Sequence, residues 1–328
     1  MAGLVIFTGA NGSMGLHAAD YLLSKYPHHT AIFTVRDASE ALRDIIAKHA
    51  KGNAFVLPLD LADLTATHAF ADKVIAGMQS GAYPSLGAIV CNAYYWNLVG
   101  DPEQTVDGFD KTIQIGHIAH AALVLRLLGS FGDDGGRIVL LSSDSHWPGK
   151  NPMEVFPPSI DDLDELIKPQ PGGDKQGLGY QRYASSKLAM TAWMYALNRQ
   201  LQQNGRLGKI TAVAINPGGM IDSRCLRTNT PESLAQLQQS LLATPLTDLQ
   251  RQMGPTVRTA EPASADVVEL ALNPAYRGKY GFYTLLREDK SSPDSQNEEK
   301  QIKLWDKTLE WARITEANTA LPLQHGLD

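Results

Sequence analysis

The chain has 328 residues, 43% hydrophobic and 20% charged, enough to bury a core as one large domain or two small ones. A net charge of −6 and a pI of about 5.8 deny it the basic surface that nucleic acid or an anionic bilayer would call for, so neither is expected as a partner. The apolar opening, Met1 to Phe7, is too short for a signal peptide or a membrane span, and with only Cys91 and Cys225 present a reducing, cytoplasmic setting is expected.

The first apolar run, Leu4 to Thr8, reads as a strand. It leads into Thr8-Gly9-Ala10-Asn11-Gly12-Ser13-Met14-Gly15, which opens a helix continuing through Leu22 and Leu23. Glycines permit the tight turn and let backbone N–H groups approach a pyrophosphate resting on the positive helix N-terminus. In a strand-turn-helix at the head of an alternating α/β pattern, this predicts a dinucleotide site. The second run, Ala31 to Val35, ends at Arg36-Asp37. A guanidinium there suits a ribose 2′-phosphate, whereas an acid would accept from a 2′-hydroxyl. Arg36 comes first, which favours NADP(H); the alternative is a solvated Arg36 with Asp37 turned to the ribose.

Further runs follow at Ala54 to Leu59, Ala88 to Cys91, Arg137 to Leu141, Ile210 to Ile215 and Lys279 to Leu285, separated by helix-length segments. Seven such runs predict a doubly wound α/β fold, one parallel sheet with helices on both faces. Cys91 ends its strand as a buried small hydrophobe. The helix Lys111 to Leu128 carries His117 and His120 three apart, and with no acidic or cysteine partner beside them packing is expected and no metal.

Two irregular regions interrupt the alternation. Between Ser143 and Tyr183, Pro148, Pro152, Pro157, Pro158, Pro169 and Pro171 accompany an acidic patch at Asp161, Asp162, Asp164 and Glu165, which predicts a surface excursion. Residues 220–261 are polar and weakly helical after a strand end, which predicts a mobile substrate lid on a main domain of residues 1–290. Residues 291–328 read as a polar linker, Ser291 to Lys300, then a helix, Gln301 to Ile314, packing Ile302, Trp305, Leu309 and Ala312 on the same domain.

Tyr183-Ala184-Ser185-Ser186-Lys187 opens a segment, Ser186 to Leu201, that reads as a long amphipathic helix. A tyrosine and a lysine four apart share one helical face, so the ammonium can lie beside the phenol and favour its ionised form. An unperturbed phenol titrates near pH 10, and a close cation lowers that by roughly one to three units, which makes tyrosine usable as an acid or base near neutrality.

Together these motifs resemble the short-chain dehydrogenase/reductase family, from Leu4 to about Leu285. The family pattern reads here as Thr8-Gly9, Asp60-Leu61, Asn92-Ala93-Tyr94, Ser142-Ser143, Tyr183 to Lys187, and Asn216-Pro217-Gly218-Gly219. The resemblance implies a single Rossmann-type sheet of about seven strands. It implies that Tyr183 donates or accepts the proton, that Lys187 lowers its pKa and binds the nicotinamide ribose, and that Ser143 hydrogen-bonds the substrate oxygen, leaving Ser142 to strand packing. Asp60 is expected at the adenine amino group, Asn92 on the ribose side, and Pro217, Gly218 and Gly219 at the nicotinamide face. Gly9, Asn11, Ser13, Met14, Gly15, Arg36, Leu61 and Ala93 complete the expected cofactor site.

The implied activity is NADPH-dependent reduction of a ketone, aldehyde or quinone, or the reverse oxidation of an alcohol. The long excursion resembles retinol-dehydrogenase-like and protochlorophyllide-reductase-like members, and the overall texture resembles reductases of fungal secondary metabolism. Tyr94, Tyr95 and Trp96, with His146 and Trp147, read either as local packing or as walls of a wide, flat pocket for an aromatic or polycyclic substrate. Relatives often dimerise through helices that here would be Lys111 to Leu128 and Ser186 to Leu201, so a homodimer is an expectation. Three departures stand out: Ser13 and Tyr94 replace glycines, and Gly116 falls where many relatives carry an asparagine that anchors a proton-relay water. The spacing of Gly9, Gly12 and Gly15 matches extended-branch members such as nucleotide-sugar epimerases, and Gly116 admits a catalytically weakened NADP-binding regulator; both are rival readings.

Overall fold

The computed structural model describes residues 2–49 and 51–323. Strands β1 (Leu4–Phe7), β2 (Thr30–Val35), β3 (Ala54–Pro58), β4 (Leu86–Cys91), β5 (Gly136–Leu141) and β6 (Ile210–Asn216) pair in parallel in the order β6-β5-β4-β1-β2-β3. Gly281–Thr284 adds a parallel strand beside β6, and Arg287–Glu288 adds a short antiparallel edge, so the sheet has eight strands where the apolar runs predict seven. The eighth strand has two residues, both exposed, and therefore leaves no apolar signature. From β1 the chain steps outward to β2 and β3, then returns to β4 on the other side. That reversal opens a crevice at the C-terminal ends of β1 and β4, where ligand sites form in open sheets.

The central strands are buried on both faces, which is why they read as continuous apolar runs. Successive side chains alternate between two core layers. Ile6, Ile89 and Leu140 pack with the helix Ala119–Leu127 and with Leu188 and Trp193. Phe7, Val90 and Val139 face the opposite layer, against helix α1 (Ser13–Lys25) and the helix Ala260–Leu272.

The helix bearing Tyr183 runs from Lys175 to Gln203, so Tyr183 lies well inside it rather than at its start; Asp174 caps it, accepting from Gly177 N–H. It is also not amphipathic. Ala184 through Met194 are all buried, because the helix is wedged between the sheet and the C-terminal helix. The stretch Lys111–Ser130 is long and apolar enough to cross a bilayer, yet 89% of it is buried in the fold as a core helix. It contains a π-helical turn, Gln114–Ile118. His117 Nε2 meets Thr308 Oγ1 at 2.9 Å, and His120 Nε2 meets Thr8 Oγ1 at 2.9 Å.

The final helix is Glu298–Trp311 and buries Gln301, Leu304, Trp305, Thr308 and Trp311. Ile302 is 51% exposed, so the expected apolar face is displaced from it. The stretch read as a polar linker holds Ser291, Ser292 and Ser295 fully buried, with the hydroxyls partnered: Tyr195 Oη and Ser295 Oγ each bond Ser291 Oγ at 2.8 Å. Trp305 stacks on Trp193 with centroids 6.1 Å apart, and Thr319 Oγ1 donates to Leu125 O. Both helices expected to pair two protomers thus make contacts with the chain's own C-terminal segment.

Residues 220–261 begin and end in a two-stranded parallel ribbon, Gly219–Met220 with Val257–Arg258. Between these strands lie a 3₁₀ turn, Arg224–Arg227, and helices Glu232–Ala243 and Leu246–Met253, with a small core of Ile221, Leu241, Leu249 and Val257.

Candidate active site

A cleft of about 430 Å³ opens at the crevice between β1 and β4. Its outer half is built on the glycine turn. Gly9 has φ +68°, and a Cβ there would lie 3.0 Å from Ala93 Cα, so the turn passes against the end of β4 as only glycine can. A Cβ at Gly15 would fall 2.5 Å from Gly9 O, so this glycine lets α1 pack onto the turn. Gly12, the N-cap of α1, brings no side chain to the first-turn N–H groups, and Asn11, Ser13 and Met14 line the cleft beside them.

The expected cofactor residues separate into two groups. Arg36 is exposed at the end of β2 and lines the cleft, whereas Asp37 is not on its wall. Leu61, Ala93 and Pro217 also line it. Asp60 does not; its carboxylate closes its own turn by accepting from Ala62 N–H at 2.9 Å. Asn92 borders the cleft, but its amide is spent inside the protein, donating to Thr8 O at 2.8 Å and Gly9 O at 3.2 Å. Gly218, at φ +90°, would put a Cβ 2.3 Å from Thr256 O, and with Gly219 it serves the ribbon rather than the wall.

At the inner end Tyr183 and Lys187 line the cleft, whereas Ser143 lies behind its wall, which Ser142 borders instead. Ser143 lies near enough to the Tyr183 phenol to favour phenolate, but its hydroxyl donates to Asp144 Oδ1 at 3.0 Å and accepts from Ser145 N–H at 3.2 Å. Burial outweighs the effect of Ser143 and holds the phenol well above its usual range. Lys187 Nζ lies 5.6 Å from the ring centroids of both Tyr183 and Tyr94 and donates to Leu141 O at 2.5 Å. Its own pKa is lowered to about 7 by burial, opposed by the Cys91 thiol. The expectation that Lys187 depresses the phenol's pKa is therefore corrected: the ammonium is on the tyrosine's side of the helix, but in this apolar setting both groups are driven toward their neutral forms. Ser142 Oγ bonds Thr191 Oγ1 at 2.7 Å, the packing role expected of it.

Tyr183 sits in an aromatic cage. Trp96, Tyr94 and Tyr180 have ring centroids 5.4, 5.8 and 6.1 Å from it. Tyr94, 40% exposed, lines the cleft where a glycine was the expected residue. Tyr95 turns its hydroxyl to Glu103. The other aromatic pair does not reach the cleft wall: His146 is buried 4.7 Å from the Phe282 ring, its Nδ1 on Ser143 O, and Trp147 lies under Lys150.

Residues 220–261, expected as a lid, supply wall residues that the sequence did not single out. Arg224 N–H donates to Ser13 Oγ at 2.9 Å and its guanidinium donates to Asn11 O. Cys225 packs with Leu226 against the cluster containing Trp96 and Tyr183. The only available signal was a basic residue soon after Pro217-Gly218. The cleft wall thus carries Arg36, Lys187 and Arg224 and, among the described residues, no acidic side chain, in a chain of net charge −6.

The family model described as short chain dehydrogenase matches residues 3–157, and that described as AcuH dehydrogenase domain matches residues 224–321. The Short-chain dehydrogenase iccH of Talaromyces variabilis is 28% identical over 360 residues, covering 97% of this chain and 98% of that protein. Dehydrogenase acuH of Aspergillus aculeatus is 43% identical over 93 residues, 28% of this chain and 94% of that protein. The crystal structure of an uncharacterized Mycobacterium paratuberculosis protein shares the fold, with a TM-score of 0.66 at 22% identity over 98% of this chain and 95% of that one.

Proposed function

The chain belongs to the short-chain dehydrogenase/reductase family, and we propose that it is an NADPH-dependent oxidoreductase that reduces the carbonyl of a bulky aromatic or polycyclic small molecule. The observation that carries this reading is the polarity of one continuous cleft. Arg36 and Arg224, with no carboxylate partner among the described residues, and open helix N–H groups border its outer half, and Tyr183 and Lys187 line its inner end.

The wall fits a polyphosphate dinucleotide. Glycine turn residues Gly9, Asn11, Ser13 and Met14, with Gly15 behind them, would take the pyrophosphate. Arg36 would take the 2′-phosphate, since the carboxylate that would select a 2′-hydroxyl is off the wall. When bound, the reduced cofactor supplies the hydride. A carbonyl that accepts hydride leaves an alkoxide needing a proton, which Tyr183 would give while Ser143 holds the oxygen. Lys187, below Tyr183, would hold the ribose and restore positive charge beside the phenol.

Tyr94 and Trp96 on the cleft wall beside Tyr183 support a flat, apolar substrate. Residues 220–261 would act as its lid. Cys91 and Cys225 are free thiols, which supports a reducing compartment. Gly116 does not need a weakened-enzyme reading: a Cβ there would lie 3.0 Å from Ser186 Oγ, so close packing on the Tyr183 helix gives it a reason.

The test follows NADPH absorbance with a panel of aromatic ketones, quinones and aldehydes. Wild type should turn over at least one class and Tyr183→Phe should not; equal turnover in both removes the proposed acid.

A further inference from the structure

We propose that Arg224 is a phosphate clamp carried by the lid, taking the pyrophosphate bridge of the dinucleotide and thereby latching the lid over it. The inference rests on the NADPH reading above and assigns a residue that lies outside the glycine turn. Arg224 opens the 3₁₀ turn Arg224–Arg227, and its two contacts reach across the chain to the same three-residue stretch: its N–H to Ser13 Oγ and its guanidinium to Asn11 O. These residues flank the N-terminus of α1, where an anion is favoured.

Several of the chain's arginines are paired with carboxylates, as Arg126 is with Asp72 and Arg258 with Asp266. Among the described residues Arg224 has no carboxylate partner and only one guanidinium bond, to a backbone carbonyl. A guanidinium has five donors, so most of Arg224's remain for a ligand beside the turn. Planar, bidentate geometry suits two phosphoryl oxygens better than one carbonyl, and the Arg224 N–H bond to Ser13 Oγ is independent of which partner the guanidinium takes.

The backbone around Arg224 transmits the clamp in two directions. Gln238, buried on the helix Glu232–Ala243, donates to Ile221 O at 2.9 Å and Ser223 O at 2.6 Å, bracing the turn from the lid side. Trp96 Nε1 donates to Thr228 O at 3.1 Å, tying the far end of the same turn to the cage around Tyr183. Fixing Arg224 on the phosphates therefore fixes Cys225 and Thr228 at the substrate wall, so cofactor binding organises the substrate site.

The experiment is fluorescence titration of NADPH and NADH, with 2′-AMP as competitor, on wild type, Arg224→Gln, Arg224→Lys and Arg36→Gln. Arg224→Gln should weaken NADPH and NADH by the same factor, tenfold or more, and leave 2′-AMP binding unchanged; Arg224→Lys should recover part of the loss. Arg36→Gln should weaken NADPH and 2′-AMP and spare NADH. Limited proteolysis should show NADPH protecting residues 224–253 in wild type and not in Arg224→Gln. Undiminished NADPH binding with full lid protection in Arg224→Gln overturns the clamp, as does loss of 2′-AMP binding in that variant. Failure of wild type to bind either dinucleotide overturns the cofactor reading instead.

Discussion

Ser143 and Ser292 are joined through one imidazole: His146 Nδ1 donates to Ser143 O at 2.5 Å, and its Nε2 accepts the Ser292 N–H at 3.0 Å. The pairing fixes the tautomer, because an Nε2 that accepts from an amide carries no proton. Burial lowers the pKa of His146 and keeps it neutral. His146→Ala should loosen the turn that carries Ser143, lowering kcat about tenfold or more with KM little changed, and should cost about 1–3 kcal/mol of stability by orphaning the buried Ser292 N–H. Steady-state kinetics and denaturant unfolding measure both; a large stability loss with kcat intact would confine His146 to a scaffolding role.

Lys187 gives a pH prediction. Its pKa falls from 10.5 to about 7 on folding, so between those values the unfolded chain holds a proton the folded one lacks, and Lys187 adds stability as pH rises through that window. Cofactor affinity runs the other way. An anionic ligand prefers the ammonium, so the NADPH dissociation constant should rise up to tenfold per unit above about pH 7 until the pKa of the bound state is reached. Titration at pH 6.5, 7.5 and 8.5 checks this, and Lys187→Met should flatten the dependence.

His117 and His120 predict acid lability. Burial holds both near a pKa of about 3. The unfolded chain protonates them near pH 6.5 while the native state does not, so stability is full above that value and drains away as pH falls toward 3. Near pH 5 the loss is about 2 kcal/mol for each histidine, read as a drop in urea midpoint. His117→Gln should remove its share of the slope; an unchanged slope would contradict the assignment.

Gly116 and Ser186 should be energetically coupled. Replacing a mid-helix glycine by alanine gains about 1 kcal/mol of helix propensity. Here the new methyl would press on Ser186 Oγ, which donates to Tyr183 O at 2.7 Å. Gly116→Ala should therefore be neutral or destabilising in wild type but less costly in a Ser186→Ala background, where only the 3.3 Å contact with the residue 186 Cβ remains. A double-mutant cycle by urea unfolding tests it, and additivity would refute the close contact.

The strands were legible because a parallel sheet covered on both faces demands unbroken apolar runs, and the site was legible where its chemistry is local: the glycine turn, Arg36, and Tyr183 with Lys187. What escaped depends on distant partners. Ser291, Ser292 and Ser295 look solvated until Tyr195 and His146 are brought to them. Arg224 has no meaning apart from Ser13, and the start of its helix at Lys175 hides Tyr183's true position behind a proline-rich stretch. The pKa of Lys187 follows from burial, which four-residue spacing does not report.

The stacking of Trp305 on Trp193 sets an order on synthesis. A ribosome delivers the Tyr183 helix well before the helix that shields its back, so the nascent polypeptide carries an uncovered indole and the apolar surface around it until the late segment emerges. Native maturation is thereby deferred until that segment has emerged, and chaperone dependence should fall on that interval.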